Sequence, residues 1–298
     1  MGDPVASVRF RQRLGPILNR GGDDLSSAPT QELRDHYLDL IKRALLNLIY
    51  VRAERTTMLS RSSSPRKLMS RFLRRLGIYI TEQADPALLL EGRCWPMMSH
   101  TMIGQKRLDN IQYCVEQVLQ NDVPGDLIEA GVWRGGACIL MRAVLRAYGV
   151  PDRQVWVADS FAGLPAPSNE IDRKDPAGKH FRDRELAVSL EEVQENFRSY
   201  GLLDGQVRFL KGWFKESLPN IAADKFSVIR LDGDLYESTM DAIRVLYPKL
   251  SVGGYLIVDD YLNIAACKKA VDDYRKECSI SEPIQEVDWT GVYWKREK

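Results

Sequence analysis

The rhythm of apolar and polar positions changes near residue 125. From Glu32 to Arg52, residues Leu33, Tyr37, Leu40, Ile41, Ala44, Leu45, Leu48 and Ile49 recur at three- and four-residue steps. That spacing predicts an amphipathic helix with one face that must be covered. Beyond Gly125, short apolar runs alternate with helical stretches. Strands are expected over Asp126 to Ala130, Gln154 to Ala158, Val207 to Leu210, Phe226 to Leu231 and Tyr255 to Val258. Helices are expected over Gly135 to Tyr148, Ser189 to Tyr200, Ser238 to Leu250 (ended by Gly253-Gly254) and from Tyr261 to Cys278. Continuous apolar strands separated by helices predict an α/β fold with a doubly wound, mostly parallel sheet covered on both faces. No helix separates Ile284 to Val287 from Gly291 to Lys295, so these close the chain as an antiparallel hairpin.

Three regions follow. Residues 1–30 are polar and Gly/Arg-rich and read as a flexible tail. Residues 31–100 form an N-terminal helical extension, and 101–298 carry the α/β domain. Within the extension, Arg61, Arg66, Lys67, Arg71, Arg74 and Arg75 have almost no acidic neighbours. They read either as a patch for an anionic partner or as the solvated face of a loop and helix. With Lys+Arg at 42 against Asp+Glu at 41, the net charge of +1 gives no global reason to expect nucleic acid. No apolar run approaches the roughly 20 residues of a membrane span. The five cysteines, Cys94, Cys114, Cys138, Cys267 and Cys278, never fall in C-x-x-C spacing, which suits reduced thiols in the cytoplasm.

The chemistry collects at the ends of the expected strands. The first runs into Glu129-Ala130-Gly131-Val132-Trp133-Arg134-Gly135-Gly136 before a helix. Glycines there let a ligand approach the backbone and the helix N-terminus. The spacing differs from the dinucleotide fingerprint and better suits a phosphate-free nucleoside such as S-adenosylmethionine. Asp159-Ser160 at the end of the second strand is placed to accept ribose hydroxyls. Trp213, after Gly212, could stack on adenine or serve the core.

The strongest cluster pairs Asp232-Gly233-Asp234 with Asp259-Asp260, both after apolar strands and so on one sheet edge. Four carboxylates there repel one another unless a cation binds between them. Oxygen-only ligands favour Mg²⁺, with Mn²⁺ possible, and neither segment offers the His or Cys that zinc prefers. His100 is expected to open a helix, as a cap, a substrate contact or a base. His36 and His180 read as isolated surface positions.

Several long segments together resemble the macrocin O-methyltransferase (TylF) family: TMIGQKRLDN (101–110), GDLIEAGVWRGGACILMRAVL (125–145), VWVADSFAGLP (155–165), VRFLKGWFKESLP (207–219), IRLDGDLYEST (229–239) and PKLSVGGYLIVDDY (248–261). The resemblance implies a class I (Rossmann-like) methyltransferase that uses S-adenosylmethionine and Mg²⁺ to methylate a sugar hydroxyl of a glycosylated natural product. It implies metal ligands Asp232, Asp259 and Asp260, with Asp234 as general base. Glu129 would hold the methionine portion, Asp159 the ribose, and Thr101 and Met102 would wrap the cofactor. Gly131, Gly135, Ser160, Gly212, Trp213 and Asp232 complete the expected cofactor site. The N-terminal region would form a lid and the contacts of a homo-oligomer. Two other readings are a non-catalytic scaffold on the same fold and a catechol-type O-methyltransferase.

Overall fold

The computed structural model describes residues 30–57 and 81–298; the expected tail through residue 29 and the basic run 61–75 lie outside the described residues. Helix α1 (Gln31–Leu45) starts where the Thr30 hydroxyl accepts the Leu33 amide at 3.3 Å, satisfying a free N-terminal donor. It buries Leu38, Ile41 and Leu45. The helix stops short of the expected Arg52 because Asn47 turns left-handed at φ 53°, a conformation asparagine tolerates at helix C-termini. Strands β1 (Arg55–Thr57) and β2 (Thr81–Gln83) then pair antiparallel, and α2 (Pro86–Leu90) follows.

The remaining chain alternates as expected: α3 (Gly104–Gln120), β3 (Asp126–Ala130), α4 (Gly136–Ala147), β4 (Val155–Asp159), α5 (Glu170–Lys174), α6 (Leu190–Ser199), β5 (Val207–Lys211), α7 (Phe214–Ser217), β6 (Phe226–Leu231), α8 (Tyr236–Leu246), β7 (Leu250–Val258), α9 (Ala265–Glu277), β8 (Gln285–Glu286) and β9 (Val292–Lys295). Seven strands form one sheet in the order β5-β4-β3-β6-β7-β9-β8. All pairings through β7 are parallel, while β9 runs antiparallel to both β7 and β8. This is the doubly wound sheet and closing hairpin that the pattern implied. The strand order reverses beside β3, the switch point where such sheets bind ligands at their carboxyl edge.

Alternation along the strands divides the core. Leu127, Val155, Val157 and Val228 pack with α1, α3, α4 and α6, while Ile128, Ala158, Ile229 and Leu256 pack with α8 and α9. Helix α1 thus finds its cover in the same core as α3 and α4. Two expectations are corrected. Gly253-Gly254 does not end a helix but lies inside β7, where a Cβ on Gly254 would sit 2.6 Å from the Ser227 carbonyl oxygen. His100 opens no helix either: α3 begins at Gly104 and Ile103 is its N-cap. No described helix is long and apolar enough to cross a membrane.

Candidate active site

The hydrogen-bond ladder continues past the strand ends. Gly131 N–H donates to the Ala158 carbonyl (2.9 Å), Asp232 N–H to Ala130 (2.9 Å) and Asp259 N–H to Leu231 (3.0 Å). The residues just beyond β3, β6 and β7 therefore stand in one row. Gly131 has φ 93°, and a Cβ there would lie 1.8 Å from the Asp232 carbonyl oxygen. Only glycine lets those two tips come so close. Trp133, Phe161 and Asp234 take positive φ (47°, 53° and 55°) in the turns after β3, β4 and β6. Such conformations persist where surrounding structure enforces them, and they gather at functional sites.

In this row Asp232, Asp259 and Asp260 each present a carboxylate oxygen, all within 4.8 Å of one another. Part of the repulsion expected among Asp232, Asp234, Asp259 and Asp260 is answered from within the protein, by two arginines that reach Asp232 and Asp259. Arg230, fully buried on β6, donates to Glu129, to Asp232 (2.9 Å) and to Asp259. Arg107 on α3 donates to Asp259 at 2.5 Å and to Asp288 at 3.0 Å. Two guanidiniums thus serve four carboxylates, Glu129, Asp232, Asp259 and Asp288, while Asp234 and Asp260 have no ion pair among the described residues. Burial pushes the Asp234 carboxyl up to about 7, with Asp232 and Asp259 adding to the rise and His180 and a hydrogen bond with Asp260 opposing it. Burial, then the neighbouring carboxylates led by Asp234, hold Asp260 well above its ordinary range. An all-oxygen donor set with unbalanced negative charge fits a hard divalent cation.

A cavity of about 340 Å³ opens beside the row and is lined by Met102, Gly131, Asp159, Ser160, Gly212, Trp213, Asp232 and Asp234 among the expected residues. Asp232 thus belongs to both cavity and carboxylate cluster. The Asp159 carboxylate is oriented by the amides of Val132 (2.8 Å) and Phe161 (2.7 Å). An oriented carboxylate, the partly exposed Trp213 and glycines lining one cavity suit a nucleoside.

The other expected residues lie outside the cavity lining. Glu129 sits beneath the row, bonded to Arg230 and to the Cys138 thiol at 2.9 Å, and burial raises its carboxyl to about 7. Gly135 caps α4 at φ 84° against Val193 and Phe197. Thr101 is buried against Gly136. The His100 ring pairs with the Tyr200 hydroxyl at 2.9 Å, and burial lowers its pKa. His100 does not line the cavity.

Sequence reasoning missed Arg230, Arg107 and His180. A single arginine inside the buried strand FSVIRL was a readable sign of a buried ion pair. Arg107 lies 152 positions from its partner Asp259 and gave no such sign. His180 is not an isolated surface group: its ring bonds Asp183 at 2.8 Å, stacks near Trp95 and acts electrostatically on Asp234.

A doubly wound sheet of this order, with a cavity at its switch point, is the fold of class I methyltransferases, and the family shown next implies S-adenosylmethionine as the methyl donor. The sequence pattern of the macrocin O-methyltransferase (TylF) family matches residues 34–296, and the chain belongs to that family. It is 53% identical over 270 residues (89% of this chain, 94% of the relative) to 8-demethyl-8-(2,3-dimethoxy-alpha-L-rhamnosyl)-tetracenomycin-C 4'-O-methyltransferase of Streptomyces olivaceus. It is 59% identical over 209 residues (69% of this chain, 79% of the relative) to demethyldecarbamoylnovobiocin O-methyltransferase of Streptomyces niveus. Its fold is similar to the solved O-methyltransferase NovP, with TM-score 0.77, 49% identity and coverage of 89% of this chain and 100% of NovP.

Proposed function

We propose that this O-methyltransferase acts on a sugar hydroxyl of a glycosylated natural product and requires a divalent cation, magnesium first, at Asp232, Asp259 and Asp260. The observation that carries the reading is the cluster of those three carboxylates around Asp232, which also lines the cavity. The name of the Streptomyces olivaceus relative, which acts on a rhamnosyl tetracenomycin, supports a sugar-bearing acceptor.

Asp159 and Ser160 would hold the ribose, Trp213 would cover the adenine, and Met102 and Gly131 would line the donor side. S-adenosylmethionine supplies the methyl group from a sulfonium. Bound at the cluster, the cation supplies positive charge against the negative charge developing on the acceptor oxygen. Asp234 accepts the hydroxyl proton; a carboxyl raised to about 7 is basic enough to take it and close enough to neutrality to be ionised. Arg230 and Arg107 keep the Asp232 and Asp259 carboxylates turned toward the cluster. Five unpaired cysteines, four of them buried, support a reducing compartment such as the cytoplasm, and a homo-oligomer remains part of this reading.

The test is methyl transfer from S-adenosylmethionine to a panel of glycosylated aromatic, coumarin and macrolide acceptors, against their aglycones and simple catechols. Product is expected only with sugar-bearing acceptors, to disappear with EDTA and to return with Mg²⁺. Methylation of catechols alone, or full activity after metal stripping, overturns the acceptor or the metal assignment respectively.

A further inference from the structure

Glu54 is fully buried between β1 and the strap that runs from Trp95 to Met102, and no ion pair to it is present among the described residues. An unpaired buried carboxylate is costly unless hydrogen bonds replace its water. Five donors do so. The amides of Met97 and Met98 donate to Oε1 at 2.9 Å each, and that of Arg55 at 3.1 Å. The Ser99 hydroxyl and the Asn47 side-chain amide donate to Oε2 at 2.9 and 2.7 Å. These bonds outweigh desolvation and hold the carboxyl below its ordinary range.

The strap so gathered leads straight to the cavity. The His100 amide donates to the Leu45 carbonyl at 2.9 Å, and Arg134 donates to the Ser99 carbonyl at 2.8 Å. A Cβ on Gly136 would lie 2.4 Å from the His100 carbonyl oxygen, so the strap lies directly against the N-terminus of α4. Three residues beyond Ser99, Met102 forms part of the cavity wall.

We propose that Glu54 is a positioning residue for the methyl donor: by collecting the Met97, Met98, Ser99 and Asn47 donors it fixes the strap on α4 and so places the Met102 wall. Glu54 touches no reactant, and the inference rests on the reading that this cavity holds S-adenosylmethionine. In the E54Q variant an amide N–H₂ replaces one acceptor, so the donors can no longer all be satisfied.

Calorimetry with S-adenosylhomocysteine on the full chain is the test. E54Q is expected to bind about tenfold more weakly, a loss of ~1.4 kcal/mol, with KM for S-adenosylmethionine rising in step. Its kcat at saturating donor should stay within about threefold of the parent, because uniform binding is lost and the chemical step is untouched. A rise in Kd below about threefold, or a fall in kcat with KM unchanged, overturns the assignment. Should E54Q fail to fold, Ser99→Ala removes one donor and leaves the charge; about threefold weaker binding supports the inference and unchanged binding overturns it. Absence of binding by the parent chain sinks the cofactor reading as well, whereas normal binding by both proteins sinks this inference alone.

Discussion

Two buried carboxylates form the floor, Glu129 inside β3 and Asp259 just past β7, and both are held by guanidiniums, Arg230 on both and Arg107 on the second. In the turns after β6 and β7, Asp234 and Asp260 have no ion pair among the described residues and act on each other's titration. The side-chain chemistry and the sheet edge are the same; the surroundings differ. The floor carboxylates are buried and must be neutralised from within the chain. The upper ones have no cation of the chain to pair with and have raised pKa values, the property expected where protons or cations are exchanged. Asp232 stands between, with one oxygen on Arg230 and its body in the cavity wall.

The comparison breaks most sharply at Asp234. Asp234→Asn is expected to lower kcat by about 10²- to 10⁴-fold, the usual worth of a general base, while calorimetry shows cofactor binding retained. Equal loss of binding would move Asp234 from the reactive group to the structural one. Next comes the floor: Arg230→Met leaves Glu129 and Asp259 without their shared cation, and urea unfolding should show a loss of about 3–5 kcal/mol. Unchanged stability would mean that the floor carboxylates are neutralised by other means.

Glu54 extends the floor's logic with hydrogen bonds in place of cations. Its folded pKa lies below the ordinary 4.5, so its stabilising contribution is complete above that value and is lost as pH falls through the folded pKa. Thermal melts in increasingly acid buffer should therefore show a shallower acid limb for E54Q than for the parent. An identical limb would show that the carboxylate is not held in its charged form. The smallest effect is expected at His180, whose positive charge favours ionised Asp234. His180→Gln should move the acid limb of the kcat/KM profile to higher pH by a fraction of a unit; a shift downward would contradict the pairing.

Much of this was legible beforehand because strand periodicity fixes which residues end on which edge. Asp232 and Asp259 each follow an apolar run directly, and parallel pairing of Leu231 with Val258 puts them side by side. Gly131 was marked by its turn, although its tightest constraint is the Asp232 carbonyl. Hidden were contacts made across the fold. Arg107 reaches Asp259 from a helix whose own pattern reports only its buried face, and Glu54 meets Met97 and Met98 more than forty positions away. Gly253-Gly254 misled because paired glycines more often mark a turn than a close approach inside a strand. His100 misled because a polar residue before a helix reads as a cap, whereas α3 begins four residues later.

The most direct measurement is Mn²⁺ binding followed by electron paramagnetic resonance in the parent chain and in Asp232→Asn, Asp260→Asn and Asp234→Asn. One tightly bound ion per chain is expected, lost or greatly weakened in the first two variants and kept in the third. No bound ion in the parent, or binding that survives loss of Asp232 and Asp260, would contradict a cation site at these strand tips.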